Sequence, residues 1–332
     1  MAEKAQVLRQ ALNKVDVWGY AQESTLAVKS FNDKVTGQPY TCIAGDVTIK
    51  TGDDETHVIA YFAKELTKDG AVSKNFKSLQ TAMEEMVTVA DIAQGIATGE
   101  PSMLTCQGEL ALNEFKTQAG EVVSNARING KFAPSRFKGE KSEFTPKAEY
   151  TIEGIVYKTV MPEIVNDEET GRLKIELYVP LYAGKIIPLS FLTLPTLPQN
   201  QKDYLEENFT KGASIKIWGK LVNKSKKIER VIEAGFGEDT VETTYERTRE
   251  FITIGGALYE VGVHDGQVFD TSLLKEAIAN RERYLASLVA KDNAPQQQQN
   301  TAGFGGATQT APQTPPQQTA PQNDLDDLFG ED

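Results

Sequence analysis

The order of secondary-structure signals predicts a mainly β chain with a few helices: two small β-barrels in tandem, followed by a disordered acidic C-terminal tail. Three observations carry that prediction. Strand signals recur from residue 15 to 132 and again from 150 to 234, each time as three strands, a helix and two strands. The fourth strand of each set carries related residues, Gly108-Glu109-Leu110 with Asn113 and Gly219-Lys220-Leu221 with Asn223, a weak internal repeat to which the shared order gives weight. After Lys291 the composition changes, and residues 294–322 are mostly Gln, Pro, Thr, Ala and Gly without a single charge. Such a segment cannot bury enough apolar surface to offset its chain entropy.

The 332 residues divide accordingly into 1–140, 141–290 and 291–332. Val7, Leu8 and Leu12 fall at helical spacing in a polar leading segment, Met1–Asn13. Val15–Phe31 reads as a strand with a polar middle, and Thr41–Ile49 and His57–Ala63 follow across the turn Thr51-Gly52-Asp53-Asp54. The period then changes: Phe76, Leu79, Met83, Met86, Val87 and Ala90 share one helical stripe, with Gly95 as a stop. Met103–Phe115 and Val122–Phe132 close the first set. In the second, Tyr150–Val160, Leu173–Val179 and Lys185–Phe191 precede a short helix, Gln201–Phe209, and the strands Ser214–Val222 and Lys227–Ala234. Thr240–Phe269 looks like additional strand, with turns at Gly255-Gly256 and His264-Asp265-Gly266, and Ser272–Ala290 like a final helix. Three strands, a helix and two strands is the order of the OB-fold, a five-stranded barrel that binds oligonucleotides on one face. The same architecture also carries sugar- and protein-binding sites.

Charge narrows the options. The net charge is −12; residues 291–332 hold one Lys and six acids, which leaves −7 on the rest. A duplex-DNA binder is basic as a whole, so a nucleic-acid site here has to be a local stripe. Lys211–Lys227 is one, with Lys211, Lys216, Lys220, Lys224, Lys226 and Lys227 and no acid. Period two places Lys216, Trp218 and Lys220 on one face and Ile215, Ile217 and Leu221 on the other. Ammonium groups beside an aromatic face suit a single strand, whose phosphates and bases they meet together. The alternative is a solvated face with Trp218 partly covered by another strand. A second stripe, Arg127–Lys147, carries Arg127, Lys131, Arg136, Lys138, Lys141 and Lys147 against Glu140 and Glu143, with Phe132, Phe137 and Phe144 interleaved. Pro134, Gly139 and Pro146 make it a linker, which either clamps a strand between the barrels or plugs their seam with its phenylalanines; Phe132 is the one assigned to the core. Trp18 and Tyr20 share a face of the first strand and either stack bases or fill the first barrel. Tyr61 and Tyr157 are open to the same two readings, and Lys64, Lys68, Lys74 and Lys77 flank the first helix.

No phosphate-cradling glycine loop, metal-ligand spacing or nucleophile elbow appears, so neither an enzyme nor a cofactor is expected. The acid clusters Asp53-Asp54-Glu55 and Asp167-Glu168-Glu169 leave a metal-dependent nuclease as a minor alternative, and His57 and His264 each stand alone. Cys42 and Cys106 have no disulfide framework, and no signal peptide or membrane span is evident, which suggests a cytoplasmic protein.

The last ten residues, N-D-L-D-D-L-F-G-E-D, set Asp324, Asp326, Asp327, Glu331 and Asp332 around Leu325, Leu328 and Phe329. An acidic, apolar tip on a neutral leash resembles the C-terminal tip of bacterial and phage single-stranded DNA-binding proteins. In that family the Phe is terminal in the bacterial members, whereas Gly330, Glu331 and Asp332 follow Phe329 here. The resemblance implies sequence-independent single-stranded DNA binding and protection in phage DNA replication, recombination or repair, in the host cytoplasm. The DNA would lie over Lys216, Trp218, Lys220, Lys224, Lys226 and Lys227, continue past Lys131, Arg136, Phe137 and Lys138, and reach Trp18 and Tyr20. Replication or recombination proteins would be recruited by Asp324, Leu325, Asp326, Asp327, Leu328 and Phe329. The rival expectation is a protein-interaction scaffold of two such barrels that binds no nucleic acid.

Overall fold

The computed structural model describes residues 7–33, 36–232, 236 and 240–290. The chain is mainly β, with thirteen strands and four α-helices among the described residues. In chain order they are β1 (Asn13–Ser24), β2 (Ala27–Asn32), β3 (Pro39–Lys50), β4 (Thr56–Lys64), α1 (Lys74–Glu85), α2 (Val89–Ala93), β5 (Met103–Lys116), β6 (Val122–Gly130) and β7 (Ser135–Arg136). Then come β8 (Lys147–Val156), β9 (Met161–Val165), β10 (Glu168–Pro180), β11 (Ile186–Thr193), α3 (Gln199–Asn208), β12 (Ser214–Ile232), β13 (Thr240–Leu258) and α4 (Leu274–Ala290).

Pairing closes the strands into two five-membered circuits. In the first, β1 pairs with β3, β3 with β4, β4 with β6 in parallel, β6 with β5, and β5 with β1. In the second, β8, β10, β11, β13 and β12 repeat that order, again with one parallel contact, β11 to β13. Alternation sends Val15 and Val17 of β1, Ile152 of β8, and Ile215 and Ile217 of β12 inward, all fully buried. Burial of each such side chain contributes roughly 1.5–3 kcal/mol. The circuits share a sheet, because β1 and β8 pair antiparallel from Asn13↔Ile152 to Trp18↔Lys147. Each first strand thus spends its start on the other circuit and its end on its own second strand.

Several expected elements change. Residues 7–12 form neither helix nor strand, in place of the expected helix. Leu8 and Ala11 are buried, Ala11 N–H donates to Pro180 O at 2.9 Å, and Arg9 bonds Glu153 at 2.8 Å and lies 3.9 Å over Phe269, so the segment is strapped across the second circuit. The expected strand 15–31 is two strands. It breaks where Thr25 N–H bonds Asp46 O and Asp46 N–H bonds Thr25 Oγ1, against Gly45, whose added Cβ would lie 2.3 Å from Thr25 O. The single expected helix over 76–90 is α1 plus α2, because Thr88 and Asp91 form a reciprocal capping box that starts a new helix.

The largest difference lies in the second circuit. Ser214–Val222 and the described part of Lys227–Ala234 are one strand, β12, and the fifth barrel strand is β13, which includes the Gly255-Gly256 pair expected at a turn. The lysine-rich stretch 223–227 looks like a turn in sequence because it has no apolar face. In the fold it needs none, since β12 and β13 continue beyond the barrel as a two-stranded ribbon. Where it leaves the barrel the ribbon rests on the first circuit: Asn223 Nδ2 donates to Thr56 O (2.6 Å), Ser225 N–H to Asp54 O (2.9 Å), and Arg249 to Ala126 O. Helix α4 packs on β5, β6 and β11 and anchors Arg281 to Glu114, whose side chain is 5% exposed.

Candidate nucleic-acid interface

Trp218 is on the outer face of β12, opposite Thr151 of β8 on one side and Gly255 of β13 on the other. Its indole is 38% exposed. The expected alternation therefore holds here, with Ile215, Ile217 and Leu221 inside and Lys216, Trp218 and Lys220 outside. The β8 neighbours of the two lysines are Glu153 and Glu149. Both carboxylates are already held, Glu153 by Arg9, Leu12 N–H and Tyr259, and Glu149 by Lys147 at 2.7 Å. Those bonds keep the Glu153 pKa below the ordinary carboxylate value even though its burial alone would raise it.

Further along, the register splits the lysine stripe. Lys224 and Lys226 keep to the Trp218 side, where they face Thr248 and Glu246. Lys227 is on the opposite side and pairs with Glu229 at 2.5 Å, which raises the pKa of its ammonium. On the Trp218 side of β13, Glu246 faces Lys226, Glu250 faces Val222 and Glu242 faces Arg230, so the acids of β13 meet the six-lysine stripe at its far end. Glu250 is itself gripped by Arg172 at 2.9 and 3.2 Å. Beside the exposed Trp218 ring stand Lys216, half-buried, and Lys220, exposed.

Trp18 and Tyr20 are half-buried on the outer face of β1, outside the barrel interior. Lys14 of β1 faces Thr151, and Thr151 faces Trp218, so β12, β8 and β1 present one continuous outer surface. Four residues along β1 and two strand spacings place the backbone positions of Trp18 and Trp218 roughly 17 Å apart. Lys147 Nζ sits 4.7 Å from the Trp18 ring, and linker rings cover that end: Phe137 at 6.0 Å from Trp18, Phe144 at 5.5 Å from Tyr20. Phe144 is buried, whereas Phe132, expected in the core, is 55% exposed on the wall of a cleft of about 450 Å³ beside α1. Arg136 is committed to Glu85 O (2.6 Å) and Ser102 Oγ (3.3 Å), while Lys131 and Lys138 are exposed. Tyr61 belongs to the first barrel's interior, and Tyr157 stacks on Tyr178 at 4.3 Å.

Residues 11–291 match the family model YorF, a span that includes both circuits. The chain belongs to the YorF family. No curated protein matches the sequence. Solved structures similar to this YorF-family chain include the wild-type single-stranded DNA binding protein from Thermus aquaticus and a deletion variant of it. Each is 10% identical, with TM-scores of 0.40 and 0.41, covering 76% of this chain and 96% of that one.

A further aromatic and basic patch was missed in the sequence. On the outer face of β2, β3 and β4, Phe31 lies 6.1 Å from Tyr40 and Lys64 Nζ sits 4.5 Å over the Tyr40 ring. Lys29 and Phe62 share that face. These residues are far apart in the chain, and only strand pairing assembles them. His57 is 2% exposed beneath the ribbon; burial and the nearby Arg249 lower its pKa to about 4, and its Nε2 is 3.6 Å from Glu55 Oε1. Among the described residues no group of three or more His, Cys, Asp or Glu is placed to hold a metal ion, and no helix is long and apolar enough to cross a membrane. Asp324, Leu325, Asp326, Asp327, Leu328 and Phe329, with the rest of 291–332, lie outside the described residues.

Proposed function

We propose that the chain binds single-stranded DNA without strong sequence preference and protects it in phage DNA replication, recombination or repair. One observation carries the reading: an exposed indole, Trp218, stands between Lys216 and Lys220 on an outer sheet surface that continues to Trp18. A base stacked on Trp218 gains roughly 1–3 kcal/mol whatever its identity, and ammonium groups on either side meet the phosphates. In this reading residues 1–140 and 141–290 are two OB-fold-like domains whose sheets the strand crosses. The patch of Lys29, Phe31, Tyr40 and Lys64 offers the first domain its own stacking surface. Residues 291–332 are then a leash, and Asp324–Phe329 recruit replication or recombination proteins. When no DNA is present, the same carboxylates compete for the lysines. No metal or cofactor takes part.

The test is a titration of tryptophan fluorescence with an oligo-dT of about thirty nucleotides at low and then moderate salt. Quenching that weakens as salt rises is the expected result, since each phosphate contact releases counterions. Absence of quenching, together with no shift of a labelled oligonucleotide, would overturn the reading in favour of an interaction scaffold.

A further inference from the structure

The partner of Trp218 across the β12–β13 ladder is Gly255, and a Cβ built there would fall 2.5 Å from two carbons of the indole and 2.7 Å from its nitrogen. The Nε1–Cε2–Cζ2 side of the indole therefore fills the space that any side chain at 255 would occupy. The backbone itself imposes no such restriction: Gly255 has no positive φ, and at the site of its Cβ the three closest atoms all belong to the Trp218 ring. The register also slips here. Trp218 pairs with Gly255 and Gly219 with Thr253, so Ile254 is an extra, half-exposed residue on β13. A bulge of this kind re-aims the side chains around it.

We infer that Gly255 is a positioning residue for nucleic-acid binding: by leaving its side-chain space empty, it lets the Trp218 indole lie against the sheet and offer its free face to an unpaired base. The inference rests on the single-strand reading above and adds the residue that sets its platform. A ring held on one side by backbone loses less freedom when a base stacks on the other than a ring standing free in solvent. Cross-strand aromatic cover of a glycine also stabilises sheets by itself, so a purely structural role has to be distinguished.

The experiment uses the full chain carrying Trp18→Phe, which makes Trp218 its only tryptophan. Gly255→Ala, and Gly255→Val as a larger step, are compared with the parent by acrylamide quenching without DNA, by oligo-dT affinity and by thermal melting. The expected results are a higher acrylamide accessibility of Trp218 and an affinity loss of about fivefold or more, the size of one lost stack. In a Trp218→Ala background the same Gly255 substitutions should leave affinity unchanged while still shifting the melting temperature. Unchanged accessibility and affinity in both variants would overturn the inference, as would an equal affinity loss in the Trp218→Ala background. Should the parent fail to bind oligo-dT, the single-strand reading falls, and acrylamide quenching still decides whether Gly255 sets the ring.

Discussion

Removing Lys216 and Lys220 together should change the salt dependence of binding, and removing Lys227 should not. The register of β12 makes the distinction. Lys216 and Lys220 flank Trp218 on the outer face, and their β8 neighbours Glu153 and Glu149 are held by Arg9 and Lys147. Lys227 is on the opposite face and already paired with Glu229. On a single strand each lost phosphate contact reduces the slope of log affinity against log salt by about 0.7. For Lys216→Ala/Lys220→Ala the slope should therefore fall by about 1.4, so that raising salt from about 50 to about 200 mM costs the variant about sevenfold less affinity than the parent. Fluorescence anisotropy of a labelled oligo-dT across four salt concentrations measures this. Equal slope changes in the double variant and in Lys227→Ala would refute the assignment of faces, and no change in either would remove the outer face of β12 from the binding path.

Two further outcomes follow from other parts of the molecule. His57 has a folded pKa near 4, below its ordinary value of 6.5, so between those values the unfolded chain binds the extra proton. Its contribution of about 3 kcal/mol is complete above pH 6.5 and is lost as pH falls toward 4. His57→Gln should therefore flatten the stability difference between pH 7 and pH 4.5 in urea unfolding; an unchanged difference would show that burial under the ribbon does not hold this ring neutral. Deleting Asp324–Asp332 should tighten oligo-dT binding, most at low salt, where the competing carboxylates are least screened. Equal affinities across salts would exclude that competition.

What the sequence determined by itself was local and periodic. Alternating apolar residues placed Val15, Val17, Ile215 and Ile217 inside, and the same period put Trp218 outside with Lys216 and Lys220. Element order was legible in part: each circuit takes three strands before its helical segment and two after it. That segment, however, is α1 plus α2 in the first, and the last strand is β13 in the second. The tertiary structure decided what depends on which residues face each other. A run of six lysines looks uniformly basic along the chain, yet β13 sets Glu246 opposite Lys226 and Glu250 opposite Val222, and alternation turns Lys227 away. The fifth strand of the second barrel was misplaced because a ribbon that projects from a barrel has no buried face, and hence no apolar period to read. Gly255 looked like half of a turn until pairing placed it under Trp218. Charge balance and ring placement are properties of cross-strand neighbours, and a strand's neighbours are fixed only when the sheet closes.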